Sequence, residues 1–219
     1  MSKKKRILFF VKSFDLTKNR WLTDELIDEM SKDHQCTVFC VDRKGELDTG
    51  IYRCSDSITL IVYKLKNKKN KLRMLLDVCV FSRIFFWKSI KDKQFDLVIE
   101  FSVFSYFWGL SRKLKSRKSV KYSMGILWDF FPIHHIEIGK ISRFFSKPLF
   151  WLESKEVQSK DVIFLMSERN RNFFTKYFKS ANTKTDILYI WSDECKEVQQ
   201  DPYEIDSNKL NIIYGGQIE

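Results

Sequence analysis

Short apolar runs recur along the chain, and segments with helical spacing separate them. Residues 6–12 read RILFFVK, 36–42 CTVFCVD, 59–63 TLIVY, 95–101 FDLVIEF, 122–126 YSMGI, 161–166 DVIFLM and 187–190 ILYI. A strand buried on both faces has no polar side to present, so it reads as a continuous hydrophobic run rather than an alternation. Such strands belong to parallel sheets, whose neighbours must be joined by crossover helices. Trp21, Leu22, Leu26 and Met30 within 20–32 have helical spacing between the first two runs, which makes a βαβ opening. Helices are also predicted over 72–87, 104–114 and 142–159, the last kinked or divided at Pro148, and again after Ser167, whose SERN start is an N-cap signature. The pattern predicts an α/β fold, a Rossmann-like parallel sheet with flanking helices. Residues 43–57 read as loop or edge structure.

A chain of 219 residues with 44% hydrophobic and 16% aromatic side chains can bury a sizeable core, and disorder is excluded as its general state. The net charge of +11 predicts an anionic partner: nucleic acid, an acidic lipid surface or a phosphate-bearing small molecule. The five cysteines form no CxxC pair, and Cys36, Cys40 and Cys79 fall inside apolar segments, so reduced structural thiols in a reducing, cytoplasmic compartment are expected. The apolar run after Lys3–Arg6 is too short for a signal peptide, and no uncharged stretch reaches the length of a spanning helix.

Two stretches each place six basic residues in ten, 64–73 (KLKNKKNKLR) and 112–121 (RKLKSRKSVK). The first leads into 72–87, LRMLLDVCVFSRIFFW, which is apolar on most sides. One row runs Leu72, Leu76, Val80; another runs Met74, Val78 and, one residue short, Phe81 and Phe85. Two readings stand. The helix is buried between sheet and a second helix, or it lies on anionic lipid with Lys64, Lys66, Lys68, Lys69, Lys71 and Arg73 on its approach and Phe85, Phe86 and Trp87 at its tip.

The chemistry concentrates in 121–139, KYSMGILWDFFPIHHIEIG. It begins as a buried strand and is expected to end as an irregular loop. A loop at the carboxyl end of a strand in such a sheet is where ligands are held. Asp129 has the carboxylate to orient or deprotonate a hydroxyl, or it caps the turn beside Pro132. His134 and His135 supply a base or a hydrogen-bond donor. A metal is not expected there, because adjacent histidines point apart and no third ligand is suitably spaced. The loop after the first strand, FDLTKNR, has no glycine, which argues against a nicotinamide or flavin, and no cofactor is expected.

Four local features, in this order, resemble the amino-terminal half of a GT-B glycosyltransferase of the family 4-like (GT4) group: ILFFVKSF leading to TVFCVD, WDFFPIHHIEIG, DVIFLMSERNRNFF and LNIIYGGQIE. The chain departs from that pattern at Asp15, Leu16 and Thr17, where the family usually has glycines, and in the spacing of Trp128 to Pro132. The resemblance implies an acceptor-binding domain over 1–190, a linker over 191–208 and, at 209–219, the first strand of a missing donor-binding domain. It implies Asp129, His134 and His135 as catalytic groups. Ser13, Lys18, Arg20, Trp128, Ser167 and Glu168 would contact acceptor, with helix capping as the plainer role for the last two. Gly215, Gly216 and Gln217 would belong to the donor loop. The implied activity is transfer of a sugar from a nucleotide-sugar to a lipid-linked or saccharide acceptor in bacterial surface polysaccharide synthesis, peripheral to the inner face of the cytoplasmic membrane. A non-catalytic membrane-peripheral remnant and a basic nucleic-acid-binding module remain as alternatives, although no helix-turn-helix, zinc-finger spacing or RNP-like motif supports the latter.

Overall fold

The structure is a computed structural model that describes residues 4–14, 22–42, 47–66, 70–101, 106–130, 132–178 and 183–189. Lys18, Arg20, Lys68, Lys69, the expected linker and the expected strand at 209–214 with Gly215, Gly216 and Gln217 lie outside the described residues, as does the Lys71 side chain.

Eight strands form one sheet in the order β3-β4-β2-β1-β5-β6-β7-β8. They are β1 (Arg6–Val11), β2 (Gln35–Asp42), β3 (Gly50–Arg53), β4 (Ile58–Lys64), β5 (Phe95–Phe101), β6 (Val120–Leu127), β7 (Val162–Leu165) and β8 (Lys184–Ile187). Every pairing is parallel except β3 on β4. The predicted parallel sheet is thus present. The last strand lies three residues earlier than the apolar run at 187–190 suggests. It pairs on one side with β7 and is half exposed, so it has no need of an apolar run.

Helix α1 (Leu22–Asp33) covers one side of the sheet, where Ile27 packs with Ile7, Phe9, Val38 and Ile99. The other side is covered by α2 (Lys71–Leu76), a π-helical turn (Asp77–Phe81), α3 (Ser82–Ser89) and α4 (Leu110–Ser116). Phe10, Phe39, Phe86 and Phe107 form its centre, with Phe10 and Phe107 stacked at 5.1 Å and Phe39 against Phe86 at 4.7 Å. A third cluster joins β6 and β7 to α6 (Ser146–Gln158) and α7 (Glu168–Tyr177). Between β6 and α6 lie the short helix α5 (Ile133–Glu137) and a 3₁₀ turn (Arg143–Phe145). The expected break near Pro148 therefore falls before it. Pro148 sits in the first turn of α6, where a missing N–H costs nothing.

The expected exposed tip at Phe85, Phe86 and Trp87 is corrected by the fold. Phe86 is fully buried against Phe10 and Phe39, Phe85 is half-buried beside Tyr63, and Trp87 is half-buried. Met74, Val78, Ser82, Phe86 and Ile90 make one inward row of fourth residues. A regular α-helix would drift off such a row by about 40° per step; the wider π turn compensates the drift. Leu72, Leu76 and Val80 consequently face outward. Lys64 is held by Asp48 at 2.9 Å. Cys36 and Cys40 are buried free thiols that burial pushes up to about 12, whereas Cys79, expected inside, is exposed.

An ionic network crosses the core. Lys160 donates to Glu100 on β5, and the Ser111 hydroxyl donates to the same carboxylate oxygen. All three residues are buried. Glu100 pairs in register with Gly125 of β6, and Gly125 with Ile163 of β7. Glu153, elsewhere on α6, has no such partner among the described residues, and burial pushes its carboxyl up to about 9. Its neutral form fits the fold. The penalty is absent below the unfolded value of 4.5, grows as pH rises, and amounts to about 3 kcal/mol at pH 7. Glu153→Gln should therefore raise Tm, and by more at pH 8 than at pH 5. Thermal melts of both proteins at the two values check this; a gain independent of pH would contradict it.

Candidate functional site

The chain runs from β1 through β2 to β4 on one side, then crosses back to place β5 on the other side of β1. Open α/β sheets bind ligands at this reversal, outside the carboxyl ends of the strands. A cleft of about 230 Å³ lies there. Its walls are Val11, Lys12 and Ser13 from the end of β1, Thr23 from the first turn of α1, Phe101 ending β5, and Trp128 and Asp129 after β6.

Each wall residue is placed by its strand. Phe101 pairs with Ile126, so Trp128 emerges just beyond it, and the two rings meet at 5.6 Å. The β1–β2 register ends at Val11, and just beyond it the Lys12 carbonyl lies 3.7 Å from the Cys40 sulfur. Thr23 and Asp24 are buried beneath the first turn of α1. The cleft thus has an apolar floor of Trp128 and Phe101, a carboxylate at Asp129, an ammonium at Lys12, and hydroxyls at Ser13 and Thr23. That set suits a polyol bearing a negative charge: a ring face for the sugar, hydroxyl partners, and a cation.

The stretch after Asp129 is partly helical, not the irregular loop expected. Pro132 precedes α5, which carries His134 and His135. Their rings are 5.7 Å apart and nearly perpendicular, with His134 exposed and His135 half-buried. Burial is the main influence lowering the His135 pKa; His134, Lys140 and Lys12 add to it, and Asp129 opposes them. His135 therefore stays neutral at pH 7 and can accept a proton. The influence of Lys12 and Asp129 puts this ring in the electrostatic field of the cleft.

Of the residues singled out in the sequence, Ser13, Trp128 and Asp129 lie on the walls of this one cleft. Ser167 and Glu168 are not among the cleft residues. Ser167 caps α7, its hydroxyl accepting from the Asn170 amide at 3.2 Å, and Glu168 pairs with Arg171 at 2.7 Å. Lys12, Thr23 and Phe101 were missed. Lys12 and Phe101 close apolar runs, and the carboxyl end of each central run was the available signal. Among the described residues no group of three histidines, cysteines or acids is arranged to hold a metal ion.

No protein-family model matches the chain, and no curated protein matches its sequence. Solved structures do match in fold. A trehalose-6-phosphate structure from E. coli bound with UDP-2-fluoro glucose aligns over 83% of this chain and 48% of its own, with TM-score 0.55 and 10% identity. Sucrose-phosphate synthase from Thermosynechococcus elongatus aligns over 85% of this chain and 48% of its own, with TM-score 0.56 and 8% identity. A shorter structure of that synthase aligns over 86% of this chain and 91% of its own, with TM-score 0.54 and 9% identity. The chain thus has the Rossmann-like fold of a GT-B domain, and it spans about half the length of the first structures it matches.

Proposed function

We propose that this chain supplies the acceptor side of a glycosyltransferase, one that moves a sugar from a nucleotide-sugar to a lipid-linked or saccharide acceptor. The observation that carries the reading is the cleft at the sheet reversal, with Trp128, Asp129, Ser13 and Lys12 on its walls. The fold likeness supports it, as does the UDP-sugar bound to the E. coli structure. The family 4-like group, bacterial surface polysaccharide (capsule, O-antigen or exopolysaccharide) and the inner face of the cytoplasmic membrane complete the reading, on the motifs of 126–139 and 161–174.

An acceptor sugar stacks on Trp128, and its hydroxyl is oriented by Asp129. The hydroxyl oxygen bonds to the donor's anomeric carbon as the bond from that carbon to the nucleotide diphosphate breaks. The hydroxyl proton passes to Asp129 or to a histidine of the His134–His135 pair. Lys12 and Ser13 hold an acceptor phosphate, joined by Lys18 and Arg20. The departing diphosphate stays with the donor domain, to which Gly215, Gly216 and Gln217 belong. No metal or cofactor enters this scheme.

Binding to this chain is the test. A water-soluble, short-chain isoprenyl-diphosphate sugar should shift the Trp128 indole N–H resonance of the labelled protein, and Lys12→Ala should weaken the shift. An unmoved Trp128 at saturating analogue would speak against the reading.

A further inference from the structure

The helix predicted to be apolar on most sides keeps one apolar side unburied. Leu72, Leu75, Leu76, Val80, Phe81 and Ile84 are all exposed, Leu72 by 69% and Phe81 by 53%. Third and fourth residues along a helix are neighbours, so these six side chains form one stripe. The stripe adjoins the second basic cluster. Lys113 and Arg117 of α4 lie over the Trp87 ring at 5.4 and 4.5 Å, and Arg83 of α3 donates to the Trp108 carbonyl. Further along, Arg112 lies over Trp108, and Lys155 lies over the exposed Trp151 at 5.5 Å.

The other side of the sheet has the opposite character. Helix α1 carries Glu25, Asp28, Glu29 and Asp33 there, each at least partly exposed. The +11 charge is therefore unevenly distributed, with cations, indoles and aliphatic side chains sharing one face. Nucleic acid would use the cations but has no use for a six-residue apolar stripe. A bilayer uses all three: hydrocarbon for the stripe, the headgroup boundary for the indoles and anionic headgroups for the cations.

We infer that the face built by α2, the π turn, α3, α4 and α6 docks on an anionic bilayer, with Leu72, Leu76 and Val80 entering it and Arg117 and Lys113 at the headgroups. It deepens the proposed transfer to a lipid-linked acceptor, and rests on that reading for its purpose. Helix α2 starts beyond the carboxyl end of β4, at the sheet edge that carries the cleft. Docking brings that edge to the membrane surface.

Flotation of the full chain with phosphatidylcholine–phosphatidylglycerol vesicles tests this. Binding is expected to the mixed vesicles and not to phosphatidylcholine alone. Arg117→Glu should lower partitioning about ten-fold or more, since each cation near an anionic surface contributes strongly. Lys32→Glu, the same charge reversal on α1, should leave it unchanged. The triple change Leu72→Ser, Leu76→Ser, Val80→Ser should also abolish flotation while leaving Tm unchanged, because these side chains are exposed. Failure of the wild type to float, equal binding to neutral vesicles, or equal loss in Lys32→Glu would overturn the inference. So would flotation untouched by the serine changes together with tight oligonucleotide binding. Binding of a water-soluble acceptor in the cleft without flotation would sink the docking face alone, and flotation without acceptor binding would sink the proposed function alone.

Discussion

Lys160→Met should cost the fold roughly 3–5 kcal/mol, because it leaves the buried Glu100 carboxylate with, among the described residues, only the Ser111 hydroxyl as a hydrogen-bond partner. Domains of this size are stable by about 5–15 kcal/mol, so the change takes a large share and should lower the urea midpoint markedly. Desolvation, not the ion pair itself, sets that magnitude. Taking a carboxylate and an ammonium out of water is expensive, and their attraction about offsets the expense. Removing one partner keeps the expense and loses the attraction. Glu100→Gln added to Lys160→Met should therefore recover most of the loss. Urea unfolding of both single variants and the double variant measures the coupling. A single-variant loss below about 1 kcal/mol would mean water already reaches the pair.

Asp129→Asn should lower sugar transfer by about a hundred-fold or more in the full product of the reading frame that encodes these residues, which is the usual scale for a lost acid–base group. The amide keeps the size of the side chain and can still touch an acceptor hydroxyl, so acceptor binding should change little. The loss should appear in kcat rather than KM. Asp129 also raises the His135 pKa against the larger effect of burial. Removing its charge moves His135 further down, so the acid side of any residual pH profile should shift to lower pH. A change confined to KM would make Asp129 a binding group only.

The strands were legible because burial on both faces leaves a local signature. Ile7–Val11 and Val38–Val41 are apolar whatever covers them. The edge strand β3 was legible only as loop or edge structure within 43–57, since a four-residue antiparallel partner with alternate residues exposed needs no apolar run. Asp129 and Trp128 were legible from their place after a buried strand. The helical form of Ile133–Glu137 was hidden by a neighbouring proline and two histidines, which read as loop. Thr23 could not be assigned to the cleft because it arrives there through the packing of α1, not through any motif of its own. In 72–87 the sequence showed too much hydrophobicity to say which side was inside. The π turn, which no local pattern announces, decided it, burying Phe86 and leaving Leu76 out.

On the proposed function, the cleft at the reversal between β1 and β5 receives a sugar acceptor for transfer. The direct measurement follows labelled sugar from nucleotide-sugars to an isoprenyl-diphosphate-linked saccharide, using the product of the whole reading frame. The expected result is a labelled, elongated glycolipid from the wild type and at least a hundred-fold less from Asp129→Asn. Label transferred equally by both proteins, or by neither with any nucleotide-sugar, would contradict it.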